Sequence, residues 1–228
     1  MLSIVLPCFN EELNIERTVR DTVAWLQGKN TPWEIVVVND GSRDGTSAVL
    51  AKLLQTIPEL RVVTHEQNRG YGAAVRSGCD SAKGSVIGFM DSDGQFNPND
   101  FDLLLPKLAE ASFVTGRRRK RADPFMRKLN AKLFGLLSWM VLGIWVRDIN
   151  CAMKVFTRET WAMMRPERST GAMVNAEMFY RAQRAGILWL VVDVHHEPRK
   201  FGLQTGANLK VILRMFKELW DVRLHSNS

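Results

Sequence analysis

An apolar run that stops abruptly at two acids constrains this chain more than any other feature: Val86-Ile87-Gly88-Phe89-Met90, then Asp91-Ser92-Asp93-Gly94-Gln95. A run this short, bounded by Gly84 and Gly94 and containing Val, Ile and Phe, reads as a strand buried on both faces. Open α/β sheets bind ligands in the crevice beyond the carboxyl ends of their strands, so Asp91 and Asp93 would face that crevice from a rigid base. Two carboxylates with one residue between them can point the same way, and a shared divalent cation relieves their repulsion. The bland alternative is a solvated Asp-Ser-Asp-Gly turn, because Asp and Gly favour turns for purely local reasons.

The flanking sequence repeats the pattern. Ser3 to Leu6 is a short apolar strand broken by Pro7, and Asn10 is placed to cap a helix whose Ile15, Val19, Val23 and Leu26 share one face. Trp33 to Val38 is a second apolar strand and ends in Asn39-Asp40-Gly41-Ser42, so another acid sits at a carboxyl end. A helix over 42–54, a strand over 60–64 and a helix running through Gly78 to Ala82 follow. This alternation predicts an α/β fold, a mostly parallel central sheet flanked by helices and joined by right-handed crossovers. Further on, the pattern predicts a helix over 99–110 and a strand over 113–116 that ends in Arg117-Arg118-Arg119-Lys120-Arg121. Arg118 to Arg121 read as a solvated loop, whereas Arg117, at the strand's end, could reach a pyrophosphate. Helices around 158–164 and 175–185 precede a last apolar strand ending at Val194, closed by His195-His196-Glu197-Pro198-Arg199. Adjacent histidines point to opposite faces of a strand and make poor partners on one metal. Gly70 and Gly72 do not form a dinucleotide fingerprint, since Val75 occupies the third glycine position, and no Walker-type motif is present.

Phe134 to Val146 carries no charge, contains Trp139 and Trp145, and follows Arg127, Lys128 and Lys132. It is shorter than the roughly 20 residues needed to span a bilayer core of about 30 Å. It is either a core helix or one lying in a membrane interface, and the adjacent basic run favours the interface. The net charge of +7 points to polyanionic company: nucleic acid, phosphorylated ligands or an anionic membrane face. Nucleic-acid binding would need basic residues beside stacking aromatics or a recognition helix, and neither is evident. Cys8, Cys79 and Cys151 have no metal-like spacing and fit reduced thiols in a cytosolic setting. Met1 leads at once into Leu2-Ser3-Ile4-Val5-Leu6-Pro7 without a basic n-region, so no signal peptide is expected. One domain is expected over 1–207, including the segment 125–146, with an amphipathic C-terminal helix over 208–228. That helix would place Leu209, Ile212, Leu213, Phe216, Leu219 and Trp220 on one side, for packing on the domain or lying on anionic lipid.

Five segments in order carry a resemblance: Leu6-Pro7-Cys8-Phe9-Asn10-Glu11, Val38-Asn39-Asp40-Gly41-Ser42, Asn68-Arg69-Gly70, Asp91-Ser92-Asp93-Gly94-Gln95 and Gly116-Arg117. Together they resemble the motifs of family 2 inverting glycosyltransferases with the GT-A, nucleotide-diphospho-sugar transferase fold. The branch most resembled is that of dolichol-phosphate mannose synthases and polyprenyl-phosphate glycosyltransferases. The resemblance implies that Pro7, Phe9, Glu11, Val38 and Asp40 hold the nucleoside of a sugar donor. It implies that Asp91, Asp93 and Gln95 lie at a Mg²⁺ or Mn²⁺ and its diphosphate, with Ser92 among the donor-binding residues, and that Arg117 and Arg199 contact phosphates. Asp148 matches an acid near the acceptor, which makes Asp93 and Asp148 the candidate catalytic residues. The implied activity is transfer of one sugar from GDP-mannose or a UDP-hexose to a polyprenyl or dolichyl phosphate, with inversion. The protein would work peripherally at the cytoplasmic face of a membrane, with or without a separate anchor protein.

Two alternatives stand beside that reading. One is transfer to a hydroxyl of a glycan, protein or small lipid, with Asp148 as general base. The other is a non-enzymatic basic membrane-binding module. The chain departs from the family pattern in two places. Asn39-Asp40 replaces a pair of aspartates, and Arg199-Lys200-Phe201-Gly202-Leu203-Gln204-Thr205 lacks the lysine expected near its end.

Overall fold

The computed structural model describes residues 1–119, 125–199, 201 and 217–224, with the backbone alone over 125–131. Among the described residues seven strands form one sheet: β1 (Leu2–Cys8), β2 (Trp33–Asn39), β3 (Leu60–Thr64), β4 (Val86–Phe89), β5 (Phe113–Arg118), β6 (Lys154–Thr157) and β7 (Trp189–Val194). Their order across the sheet is β3-β2-β1-β4-β6-β5-β7. The chain adds β2 and β3 on one side of β1 and then crosses to place β4 on the other, so the switch point lies between β1 and β4. Only β6 runs against the rest, antiparallel to both β4 and β5. The carboxyl ends of β1, β2, β4, β5 and β7 therefore share one edge, which the loop entering β6 also reaches.

Among the described residues the strands are accompanied by the helices α1 (Ile15–Gln27), α2 (Thr46–Leu54), α3 (Tyr71–Ser81), α4 (Phe101–Leu104), α5 (Phe125–Leu142), α6 (Arg158–Met164) and α7 (Val174–Arg184), with a further helical stretch near the C-terminus. Both faces of the sheet are covered. A Cβ on Gly78 of α3 would meet Val5 Cγ1 at 2.3 Å and Val38 Cγ2 at 2.9 Å, so α3 sits directly on that face. The neighbouring residue Ile4 points the other way, towards Phe101, whose ring stacks at 5.3 Å on Trp25 of α1. Burial on both faces explains why β1, β2 and β4 read as unbroken apolar runs.

Several boundaries differ from the sequence reading. β1 continues through Pro7 to Cys8. Leu2 N–H donates on the β2 side, so the alternation sends position 7 towards β4, whose ladder with β1 has already ended at Phe89; the missing proline donor is not required there. Asn10 does not cap α1, which begins at Ile15 after Asn14. Asn10 instead takes a left-handed φ of 55° and clasps the loop after β2: its N–H donates to Ser42 Oγ, and its side chain accepts from Arg43 N–H. The helix expected over 99–110 is broken into 3₁₀ turns, Pro98–Asp100 and Leu105–Ala109, around the single turn of α4, because Pro106 removes a donor. At the C-terminus residues 217–224 are helical and bury Leu219 and Val222. Glu218 accepts from Thr170 Oγ1 at 2.9 Å, so this stretch packs on the domain. Residues 208–216 of the expected helix lie outside the described residues.

Candidate active site

β4 delivers Asp91 and Asp93 to the switch point, as its apolar run and abrupt stop require. Asp93 Oδ1 accepts from Gln95 N–H at 3.1 Å, which turns the loop back on itself. Asp91 is the more deeply placed. Burial, reinforced by the charge of Asp93, pushes its carboxyl up to about 7, and its Oδ1 is buried without a hydrogen-bond partner. The Tyr71 hydroxyl comes close enough to favour the ionised form, yet that hydroxyl is likewise buried and completes no hydrogen bond. A divalent cation would meet both needs, by neutralising the pair and occupying the unsatisfied oxygen. Among the described residues no third His, Cys, Asp or Glu joins them. One or two carboxylates completed by substrate phosphates is the usual donor set for Mg²⁺, so the residues present fit such an ion.

Glu11, just beyond β1, faces the same crevice. Its Oε1 accepts from Arg199 Nη2 and its Oε2 from Asn14 Nδ2, both at 2.7 Å. Burial still lifts its carboxyl above the ordinary range, against the pull of the Asn14 amide and the Arg199 guanidinium. Arg199 also stands 3.6 Å from Asp93 Oδ2. The segment after β7 brings it there: Glu197 N–H donates to Gln95 O at 2.8 Å, and Gln95 Nε2 donates to Glu197 O at 2.9 Å. The structure thus joins Asp91, Asp93, Glu11 and Arg199 from three strand ends. Gln95 lies beside them, with its amide nitrogen turned to the backbone.

Other expected donor-binding residues are committed within the protein. Asp40 accepts from the backbone N–H groups of Arg69 and Gly70, each at 2.9 Å, and lies 2.6 Å from His65 Nδ1. It brackets the 65–70 loop, and both carboxylate oxygens are occupied. Val38 is buried against α3, and Ser92 Oγ donates to Pro7 O at 2.7 Å. Phe9 is exposed at the rim.

The two arginines that end β5 do not take the places expected of them. Arg117 turns to the far side, where Nε meets Asp193 Oδ1 at 2.5 Å. Arg118, expected in solvent, is buried within β5 and grips Asp148: Nε donates to Oδ2 at 2.8 Å, Nη2 to Oδ1 at 2.7 Å, and its backbone N–H to Oδ2 at 3.0 Å. Strand alternation explains this, since once β5 extends to 118 its last two side chains must face opposite ways. Behind this pair lies Lys154, fully buried at the start of β6 and bonded to Cys151 O and to Asn175 Oδ1 at 2.8 Å. Burial lowers its ammonium to about 8, although the Cys151, Asp148 and Asp91 side chains act to raise it. Sequence reading missed Tyr71, Arg118 and Lys154. An uninterrupted apolar pattern around a lone lysine at 154 was the only available signal for the last.

α5 buries Phe134, Ser138 and Leu142 and turns Leu133, Leu136, Trp139 and Met140 to solvent. Trp145 adds a 66% exposed ring packed edge-on to Trp139 at 6.4 Å. Among the described residues this helix, apolar on its inner and outer faces alike, is covered on only one of them. Among the described residues no helix is long and apolar enough to cross a membrane. His195 pairs with Asp100 at 2.8 Å, while the His196 ring packs against Phe96, so the two histidines diverge.

A mostly parallel sheet with carboxylates and an arginine gathered at its switch point defines an α/β enzyme class of the GT-A type. Comparison with solved structures bears out that fold. Glucosyl-3-phosphoglycerate synthase from Mycobacterium tuberculosis, in complex with phosphoglyceric acid, superposes with a TM-score of 0.75 at 21% identity, covering 98% of this chain and 80% of that one. The same protein with Mn²⁺, UDP and phosphoglyceric acid gives 0.71 at 22% identity, covering 96% and 78%. The chain belongs to glycosyl transferase family 2, whose family model matches residues 3–166. Undecaprenyl-phosphate 4-deoxy-4-formamido-L-arabinose transferase of Pectobacterium carotovorum is 30% identical over 220 residues, 94% of this chain and 65% of that protein. Dolichyl-phosphate beta-glucosyltransferase ALG5A of Trichomonas vaginalis is 31% identical over 179 residues, 72% and 55%. The chain therefore spans less than two thirds of the length of these curated relatives.

Proposed function

We propose that this chain transfers a single sugar from a nucleotide-diphosphate sugar to a polyprenyl phosphate, with inversion, at the cytoplasmic face of a membrane. The observation that carries the reading is Asp91, half-buried with Oδ1 buried and unsatisfied, beside Asp93 and faced by Arg199 and Glu11 at the switch point. Asp91 and Asp93 would hold Mg²⁺ or Mn²⁺, which supplies charge neutralisation for the diphosphate. Arg199, already poised between Glu11 and Asp93, would add a guanidinium where negative charge builds on the leaving diphosphate. Glu11 holds that guanidinium in place. A lipid phosphate is anionic at neutral pH, so its oxygen can form the bond to the anomeric carbon as the sugar–diphosphate bond breaks, with no strong general base.

The state of Asp148 favours this acceptor over a hydroxyl. Both of its oxygens accept from Arg118, which leaves it poorly placed to take a proton. Trp139, Trp145 and the outer face of α5 supply an apolar surface of the kind that rests in a lipid interface, beside the acceptor end. The names of the relatives, which act on undecaprenyl and dolichyl phosphates, support the same acceptor class. Residues 1–207 would form the catalytic unit.

The test is a panel of UDP- and GDP-sugars with Mg²⁺ or Mn²⁺ and a short-chain polyprenyl phosphate in detergent. Metal-dependent appearance of a glycosylated lipid phosphate is the expected result. Donor hydrolysis with no lipid product across the panel would overturn the acceptor assignment.

A further inference from the structure

The geometry points to Tyr71 as a positioning residue of the carboxylate pair, a phenol set to orient Asp91 as that acid takes up a divalent cation. The inference rests on the reading of Asp91 and Asp93 as cation-holding groups. Its basis is a coincidence of two unmet needs. Tyr71 Oη is a buried donor without an acceptor, and Asp91 Oδ1 is a buried acceptor without a donor. They are near enough for the hydroxyl to stabilise the Asp91 anion, and Asp93 and Cys151 are the next groups whose charge reaches the phenol. Leaving a buried hydroxyl unpaired is costly, so a phenol held this way is expected to gain its bond in another state of the site.

The placement of Tyr71 is enforced from behind. It is the first residue of α3, and Gly70 before it takes φ 98°. A Cβ at Gly70 would lie 2.4 Å from Thr170 O, and one at Gly72 2.8 Å from Ser169 O, so the helix start is pressed against the 169–171 loop. Gly72 N–H donates to Thr170 O at 2.8 Å. Glu177, buried on α7, fixes that loop in turn by accepting from the backbone N–H groups of Glu167 and Ser169 at 2.6 and 2.7 Å. A shell this rigid fixes the start of α3, and with it the residue whose hydroxyl acts on Asp91, the arrangement by which outer groups orient a metal ligand.

The experiment is Tyr71→Phe, which keeps the ring and removes only the hydroxyl. Two readouts are taken on the purified full chain: thermal stability without added metal, and binding of Mn²⁺ alone, with free ion read by electron paramagnetic resonance. Because the ring stays packed and only the hydroxyl is removed, the variant should stay folded and melt within a few degrees of wild type. Its Mn²⁺ affinity should nevertheless fall by about 10- to 100-fold, the usual effect of losing an orienting partner. Asp91→Asn serves as the control for the site itself. Equal Mn²⁺ affinity in wild type and Tyr71→Phe, with binding lost in Asp91→Asn, would overturn the role of Tyr71 and leave the site standing. Lower melting with unchanged Mn²⁺ affinity would make the hydroxyl structural and overturn the proposal. Wild-type protein that binds no Mn²⁺ would overturn the reading of the carboxylate pair, and the role of Tyr71 with it.

Discussion

Replacing Arg118 with Met removes a buried guanidinium that donates to both oxygens of Asp148. The two side chains are 6% and 7% exposed, and three hydrogen bonds from Arg118 reach the carboxylate. Methionine nearly fills the space, so packing changes little, and one backbone N–H still reaches Asp148. The carboxylate stays buried but loses both guanidinium hydrogen bonds, a change that costs up to about 3–5 kcal/mol. For a domain of this size each kcal/mol moves the melting point by roughly 2–4 °C, so a fall of about 6–20 °C is expected. Arg117→Met is the matched control. Its partner Asp193 is 38% exposed and the pair is open to water, so melting should stay near wild type. Replacing Asp148 with Leu in the Arg118→Met background removes the stranded charge and should recover much of the loss. Calorimetry on the four proteins decides the matter. An Arg118→Met melting point no lower than that of Arg117→Met would refute the assignment of the buried pair.

Three other outcomes follow from the same structure. Asp93→Asn keeps the acceptor for Gln95 N–H, so denaturant unfolding should stay within about 0.5 kcal/mol of wild type while metal-dependent sugar transfer is lost; wild-type-like turnover in saturating metal would refute the metal assignment. Trp139→Glu and Trp145→Glu should each weaken sedimentation with anionic liposomes by roughly tenfold, about 1.4 kcal/mol, and unchanged sedimentation would remove α5 from the interface. His195 has its proton affinity raised above the ordinary 6.5, first by its hydrogen bond to Asp100 and then by that carboxylate's charge. Its contribution to stability is therefore complete below pH 6.5 and lost as pH rises through the raised value. His195→Gln should flatten stability over that window in urea titrations between pH 6 and 9, and an unchanged slope would refute the link.

The sheet was legible because burial on both faces leaves a pattern that local sequence cannot hide. The runs ending at Val38 and Phe89 had to be interior strands, and their terminal acids had to meet at one edge. What the runs could not disclose was pairing. Lys154 to Thr157 is too short to announce a strand, and nothing local says that β6 inserts antiparallel between β4 and β5. The same gap hid the partner choices at the site. Arg117 and Arg118 differ only in which way they face, which depends on how far β5 runs. Asp40 looked available because its partners, His65 and the Arg69 and Gly70 amides, lie more than twenty residues away. Tyr71 stood between glycines that were weighed only as a dinucleotide fingerprint and set aside, whereas their smallness serves the close approach of 169–171.

The acceptor is the centre of the account, and a paired acceptor assay tests it most directly. Polyprenyl phosphate and the corresponding polyprenol, matched in chain length, are offered with the productive nucleotide sugar and metal, and lipid products are weighed by mass spectrometry. Addition of a single sugar to the phosphate, with none on the alcohol, is the predicted result. Glycosylation of the alcohol while the phosphate stays unmodified would contradict it and return Asp148 to the role of base.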